Sequence, residues 1–244
     1  MERVIKDIRY YESKTENIDG NSMPGNLGKL FYSTADTNYI GQRIARKLNE
    51  LDFSYGEFDH IYINLTTALN ENELIISKRN IDKRIKYIDY GLLPRSYNEL
   101  TDNNKDGLLK LITFKVLKHI SAPESSTLNK VKEVEAIMER MDTEIRINYK
   151  TKETSNYKID ISYQINPKNA STRAIVEYVN KKDNSRREGF IPLYFYEDIY
   201  PLIDSITLKD NILIFKPKKS FRADLYNNRY STPIELKLSE LKSV

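Results

Sequence analysis

Residues 158–165 read Lys-Ile-Asp-Ile-Ser-Tyr-Gln-Ile, an unbroken alternation of polar and apolar side chains. Successive side chains of a β-strand point to opposite faces of its sheet, so this alternation predicts a strand with one buried face. Similar runs continue to the end of the sequence, at residues 145–149, 173–180, 189–196, 206–208, 212–215 and 234–238. Residues 143–244 are therefore predicted to form a mainly antiparallel β region, with Lys209-Asp210-Asn211 as one of its hairpin turns.

Helical spacing dominates the chain before residue 143. Apolar residues recur every three or four positions in three segments, 38–51, 106–120 and 124–141. This is the pattern of a helix with one buried face, and in the first segment it places Arg43 on the opposite, polar side. Strand-like alternation occurs at residues 61–66 and 85–90. Residues 1–142 are thus predicted to be an α+β region with three main helices.

Helices followed by a long run of strands indicate an α+β fold, and not the alternating β-α-β units of a parallel sheet. The predicted architecture is a helix-containing N-terminal half packed on or beside a mainly antiparallel β C-terminal half. The change near residue 142 has no flexible linker, so the halves either share one core or form two closely packed domains.

The composition restricts the class of protein. The 244 residues are 39% hydrophobic and 30% charged, which is typical of a globular chain and not of a disordered one. The absence of cysteine excludes disulfides and thiolate metal sites. Residues 1–11 carry charges throughout and lack the apolar core of a signal peptide, and no apolar run is long enough to span a membrane. We therefore expect a cytoplasmic protein without membrane association.

Motifs for catalysis, cofactors or metals are not found in the sequence. Its two histidines, His60 and His119, stand outside any metal-binding spacing. The loop from Gly20 to Gly25 has the glycine spacing of a phosphate-binding loop, but Asn26 stands where that motif needs lysine. We therefore expect no catalytic residues, no metal and no cofactor. An unrecognised enzyme would remain a candidate if His60, Asp59 and Asp89 met in one pocket.

Tyrosine is unusually frequent, with 18 Tyr, 8 Phe and no Trp. Tyrosine supplies large contact area with a polar tip at small cost in rotamer entropy, and this suits protein interfaces. Two clusters near glycine or proline are the predicted partner-binding residues: Tyr87, Tyr90 and Tyr97 in the first, and Tyr194, Tyr196 and Tyr200 in the second. The alternative for each cluster is that its tyrosines serve as strand and core residues.

Residues 215–230 combine basic and aromatic side chains. The candidates for a nucleic-acid contact are Lys216, Lys218, Lys219, Arg222, Tyr226 and Arg229. Basic residues can neutralise phosphates while neighbouring rings stack on bases. The alternative is a solvated strand end followed by a loop. The net charge of the chain, +4 from 39 basic and 35 acidic residues, is small for a dedicated nucleic-acid binder.

Residues 58–120 carry a family resemblance. The strand Phe58-Asp-His-Ile-Tyr-Ile-Asn-Leu-Thr66 is followed by Ile85-Lys-Tyr-Ile-Asp-Tyr-Gly91, and Tyr97-Asn-Glu-Leu100 then leads into a helix. This organisation resembles immunity proteins of bacterial polymorphic-toxin systems, including those of contact-dependent inhibition. The resemblance covers about a quarter of the chain and carries over no site residues. It implies a stoichiometric inhibitor that binds a cognate toxin domain in the cytoplasm and blocks it.

Other functions stay open beside this one. The late strands could pair between subunits of a phage or other assembly protein, and residues 215–230 could contact nucleic acid. The sequence leaves the oligomeric state undetermined. A mildly basic inhibitor would suit a neutral or acidic toxin, because steering between partners needs opposite charges.

Overall fold

The computed structural model describes residues 3–15, 20–122, 125–167 and 172–244, and its helices and strands form an α+β fold. The chain divides into two compact units, Met1–Ile145 and Arg146–Val244. The division falls close to residue 142, where the sequence pattern changes. None of the helices in these described ranges combines the length and apolar character needed to cross a bilayer.

The first unit is built on a five-stranded mixed sheet. Its elements are β1 (Asp7–Ser13), β2 (Gly25–Asn26), α1 (Thr37–Glu50), β3 (His60–Thr66), β4 (Leu74–Ile76), β5 (Ile85–Gly91), α2 (Pro94–Asn98), α3 (Asp102–Ile120) and α4 (Ser126–Met141), followed by a 3₁₀ turn at Asp142–Glu144. The strand order is β2-β1-β3-β5-β4. The predicted helices at 38–51 and 106–120 are present, and residue 124, where the third was expected to begin, lies outside the described residues.

The three central strands of this sheet are parallel. β1 pairs with β3 and β3 with β5 in parallel register, and α1 makes the connection from β1 to β3. The sequence-based exclusion of β-α-β connections is therefore wrong for this unit. The physical reason is that strand direction depends on the connection, and the alternation of side chains is the same in parallel and antiparallel strands.

Helix α1 packs closely on β1. Its apolar stripe of Ile40, Ile44 and Leu48 is fully buried, as its periodicity predicts. A Cβ atom on Gly41 would lie 2.3 Å from the carbonyl oxygen of Ile8, so glycine permits the helix to approach the strand at this point. Arg43 is not on a solvated face as its position in the pattern predicted. It is fully buried and pairs with Asp36, because a buried charge needs a partner.

The second unit consists of two antiparallel sheets and short helices. Its elements are β6 (Ile147–Glu153), β7 (Tyr157–Tyr163), β8 (Thr172–Asn180), β9 (Arg186–Leu193), a 3₁₀ turn (Tyr196–Asp198), α5 (Ile199–Leu202), β10 (Ser205–Lys209), β11 (Ile212–Lys216), α6 (Phe221–Asn227), β12 (Ile234–Lys237), a 3₁₀ turn (Leu238–Glu240) and β13 (Lys242–Ser243). The larger sheet has the order β13-β9-β8-β7-β6 and the smaller one β10-β11-β12. All pairings are antiparallel, as predicted for this half.

The hairpin between β10 and β11 forms at its predicted turn. Asp210 and Asn211 have φ angles of 50° and 62°, the left-handed conformation that a two-residue hairpin turn requires. Asp and Asn adopt this conformation more readily than most residues, so the local sequence explains the turn. The hairpin leads directly into the segment from Lys216 to Arg229 and so positions it.

Candidate binding surface

The first predicted tyrosine cluster lies in the core of the first unit. Tyr87 is 1% exposed, packs with Tyr11 and Tyr62, and donates a hydrogen bond from its hydroxyl to Met23. Tyr90 is equally buried, and its hydroxyl donates to Asn72. Both belong to β5, which lies between β3 and β4 in the sheet.

Tyr97 is also buried, with its ring edge-on to Phe31, and this burial raises the pKa of its hydroxyl. None of Tyr87, Tyr90 and Tyr97 therefore has surface to offer a partner, and the interpretation of them as partner-binding residues is corrected.

The second tyrosine cluster is divided between core and surface. Tyr196 is buried and its ring stacks on Tyr163. Tyr200 is half-buried, and its hydroxyl lies 2.7 Å from that of Tyr163. Tyr194, by contrast, is 64% exposed. Tyr194 is thus the freely accessible member, Tyr200 presents part of its ring, and Tyr196 serves the core.

The basic–aromatic segment forms the end of β11, a loop and helix α6. The hydroxyl of Ser220 accepts a hydrogen bond from the N–H of Ala223 and caps the helix. Ala223 faces inward, whereas Phe221 and Leu225, four residues apart on one side of the helix, are 82% and 54% exposed. The helix therefore presents an apolar face to solvent.

Two aromatic residues before α5 extend this face. The guanidinium of Arg229 lies over the rings of both Phe195 and Tyr226, at 5.6 and 5.8 Å from their centroids. Tyr194 lies beside Phe195 and contacts Tyr230 edge-on. We call this patch the aromatic–basic surface and define it by seven exposed residues: Tyr194, Phe195, Phe221, Arg222, Leu225, Tyr226 and Arg229.

A buried carboxylate connects the two segments that form the aromatic–basic surface. Asp198 accepts hydrogen bonds from the hydroxyl of Tyr230, at 2.5 Å, and from the N–H of Phe195. The same hydroxyl accepts from the N–H of Tyr194. Burial and the neighbouring Asp198 carboxylate raise the pKa of Tyr230, so its proton stays in place at neutral pH. The loop carrying Tyr194 and Phe195 is therefore held against the end of α6.

The three predicted lysines lie beside this surface. Lys216, Lys218 and Lys219 are exposed and line an open groove of about 560 Å³ together with Asp204 and Ser205. A second groove, of about 440 Å³, lies between α5 and α6. The two predicted sets, the second tyrosine cluster and the basic segment, thus meet in one region of the second unit.

His60, Asp59 and Asp89, the residues that would indicate an enzyme, do not meet in one pocket. The carboxylate of Asp59 lies 2.6 Å from His60 Nδ1 and 2.8 Å from Lys6 Nζ. Burial alone would raise the pKa of Asp59, but these hydrogen bonds outweigh it and the pKa is lowered. Asp89 pairs instead with Arg79 and Asn64. His60 lies opposite Ile85 in the sheet, and Asp89 is four residues further along that strand, so it is roughly 13 Å from His60.

In the part of the chain that the structure describes, no group of three or more histidine, aspartate and glutamate side chains could hold a metal ion.

Comparison with known proteins found no matching family model, no matching curated protein and no matching solved structure. The assignment of function therefore depends on the chain's own geometry. Phe195 and Leu225 are surface residues that the sequence did not predict. For Leu225 the available signal was its spacing of four residues from Phe221. For Phe195 no local signal existed, because its position depends on the hydrogen bond between Tyr230 and Asp198, which are 32 residues apart.

Proposed function

We propose that the chain is a protein-binding module without catalytic activity, and that it acts as an immunity protein that binds a cognate toxin and blocks it. The observation that carries this proposal is the aromatic–basic surface. Large contiguous patches of exposed apolar side chains are uncommon on soluble monomers and mark sites of interaction. Tyr, Phe and Arg are enriched at the centres of protein interfaces.

The fixed geometry of the surface supports the same function. Asp198 and Tyr230 hold the loop of Tyr194 and Phe195 in place, and the guanidinium of Arg229 lies over the rings of both Phe195 and Tyr226. A surface that is ordered before binding loses less conformational entropy when its partner docks. A stoichiometric inhibitor needs this property, because its effect depends on tight association.

The proposal is tested by capture and growth rescue. The tagged chain is purified from its source cells at moderate salt, and the protein retained with it is expressed alone and with the chain in a test host. We expect the retained protein to arrest growth alone and the chain to restore it. Leu225→Asp should abolish both capture and rescue, because it places a charge in the apolar face, whereas Lys182→Glu, a charge change in the exposed β8–β9 turn, should preserve both.

Two results would contradict the proposal. The first is a Leu225→Asp chain that captures and neutralises the partner as well as the native chain does. The second is a purified chain that retains no protein and forms discrete oligomers by light scattering, which would favour an assembly protein.

Nucleic-acid binding is a second candidate, favoured by the position of Lys218, Lys219 and Arg222 next to the exposed rings of Phe221 and Tyr226. Phosphate contacts would make such binding strongly dependent on salt. Retention on immobilised single-stranded DNA that falls with salt and is lost in the Lys218→Ala, Lys219→Ala, Arg222→Ala triple variant would support this function. Equal retention of the native and triple-variant chains would exclude it.

A further inference from the structure

The groove between α5 and α6 is suited to an anchoring side chain. Its apolar lining comes from Tyr200, Pro201, Ala223 and Tyr226, and its volume is about 440 Å³. Grooves of this size, with mostly apolar walls and a few charged groups at the edge, hold small ligands or the side chains by which a partner anchors itself.

The walls of this groove are tied to each other and to the second unit's core. The N–H of Lys218 donates to the carbonyl oxygen of Pro201 at 2.8 Å, which joins the loop before α6 to α5. The Tyr200 ring packs edge-on against Tyr149, and its hydroxyl meets Tyr163. The groove therefore exists before a partner arrives and needs little rearrangement to receive one.

Basic residues outnumber acidic ones in the segment that forms one wall of the groove. Residues 215–230 contain five basic residues and one acidic residue, Asp224, a net of +4. This equals the net charge of all 244 residues. The rest of the chain therefore has no net charge, with 34 basic and 34 acidic residues. Lys218 and Arg222 line the groove, and Glu197 is its acidic member. A partner bearing negative charge would be attracted to this region more than to the rest of the chain.

The apolar side chain of Leu225, more than the rings, favours a protein over a nucleic acid at this site. Stacking of bases requires open ring faces. The guanidinium of Arg229 lies over one side of Phe195 and of Tyr226, at 5.6 and 5.8 Å from their centroids, whereas Phe221 is 82% exposed. Leu225, which is 54% exposed in the same helix as Phe221 and Tyr226, has no face on which a base could stack but contributes apolar area to a protein contact.

Building on the protein-binding function proposed above, we propose that the α5–α6 groove receives an apolar side chain from an acidic segment of the partner. The carboxylates that flank this anchor pair with Lys218 and Arg222. The apolar lining supplies the affinity, and the surrounding positive charge selects an acidic segment over a neutral or basic one.

Three labelled peptides test this proposal on the full chain by fluorescence anisotropy. The first is a short peptide with a central Trp flanked by Glu and Asp; the second replaces the acids by Gln and Asn; the third replaces Trp by Ala. We expect the first to bind at least roughly tenfold more tightly than either of the others. Arg222→Glu should abolish this preference, and Lys182→Glu, the same charge change outside the groove, should leave it intact.

Several outcomes would overturn the proposal. These are equal binding of the acidic and amide peptides, no binding of any peptide, and an unchanged preference in the Arg222→Glu chain. Tighter binding of an oligothymidylate with the same dependence on Arg222 would replace the acidic segment by a nucleic acid.

Growth rescue separates this proposal from the proposed function. An Arg222→Glu chain that still neutralises the captured toxin shows that the groove is not the recognition site, while the protein-binding function stands. A Leu225→Asp chain that still neutralises the captured toxin would contradict the proposed protein-binding function itself.

Discussion

The buried carboxylate of Glu12, at the end of β1, organises a stretch of backbone that forms no helix or strand. It accepts hydrogen bonds from four successive N–H groups, those of Gly28, Lys29, Leu30 and Phe31. One side chain thus supplies the acceptor for four successive backbone donors, including that of the buried Phe31. Residues 30–32, which resemble the start of a strand in sequence, are therefore held as a loop.

Replacing Glu12 by Gln should destabilise the first unit. The amide has one acceptor oxygen in place of two and turns an NH₂ group towards the backbone donors. We expect a loss of about 1–3 kcal/mol in the free energy of unfolding, measured by urea denaturation. Glu71→Gln, at an exposed position, is the control and should leave the free energy unchanged. Equal midpoints for the two variants would show that the four hydrogen bonds are not a net source of stability.

The surroundings of Asp106 predict that the stability of the chain depends on pH. Burial raises the pKa of its carboxyl, the hydroxyl of Thr34 opposes this with a hydrogen bond, and the nearby Asp36 carboxylate adds to the increase. A carboxyl whose pKa is higher in the folded state stabilises the fold below its unfolded pKa, and this contribution is lost as pH rises through the folded pKa.

We therefore expect Asp106→Asn to unfold at a higher temperature than the native chain at pH 7. The difference should disappear at about pH 3, where the carboxyl is protonated in both states. Thermal unfolding followed by circular dichroism at the two pH values measures it. A difference that is the same at both values would mean that ionisation of Asp106 is not its cause.

At the scale of elements, two helix glycines should respond to the same substitution in opposite ways. Gly41 lies against β1, where a Cβ would come 2.3 Å from the Ile8 carbonyl oxygen, whereas nothing lies within 4 Å of a Cβ on Gly107 in α3. Gly107→Ala should stabilise the chain by about 0.5–1 kcal/mol through helix propensity. Gly41→Ala should destabilise it by about 1–3 kcal/mol, because α1 must move away from the sheet.

Chemical denaturation of the two glycine variants measures both changes. Stabilisation by both substitutions would mean that α1 does not approach β1 as closely as described.

The elements could be predicted from the sequence where their periodicity is local. The helix predicted at 38–51 is observed at Thr37–Glu50, and the strands predicted at 61–66 and 85–90 are β3 and β5. Strand direction could not be predicted in the same way, since it depends on how α1 connects β1 and β3.

Tyr87 and Tyr90 were misassigned for a related reason. Both faces of β5 are covered, and alternation along one strand does not report what covers each face.

The candidate surface was predictable only in part. The basic and aromatic residues of 215–230 are close in sequence, and their shared surface follows from that. The addition of Tyr194 and Phe195 depends on the hydrogen bond from Tyr230 to Asp198 across 32 residues, which no local pattern indicates. Arg43 differs, since its partner Asp36 is only seven residues away at the start of α1, and what the helical pattern did not show is that both side chains are buried.

At the scale of the whole molecule, charge and exposed apolar area coincide. The segment 215–230 carries a net charge equal to that of the entire chain. It also contributes five of the seven residues of the aromatic–basic surface, all except Tyr194 and Phe195. Long-range attraction and short-range apolar contact are therefore concentrated in one part of the second unit. A partner steered to this region meets the contact surface directly.

The affinity of the captured partner for surface variants tests the central claim most directly. Dissociation constants are measured by titration calorimetry for the native chain, for Phe221→Ala and Leu225→Ala together, and for Lys182→Ala as control. If the aromatic–basic surface is the binding site, the double variant should bind at least about thirtyfold more weakly, the loss typical of central interface residues, and the control should be unchanged. Unchanged affinity in a folded double variant would contradict the account and place the partner elsewhere on the chain.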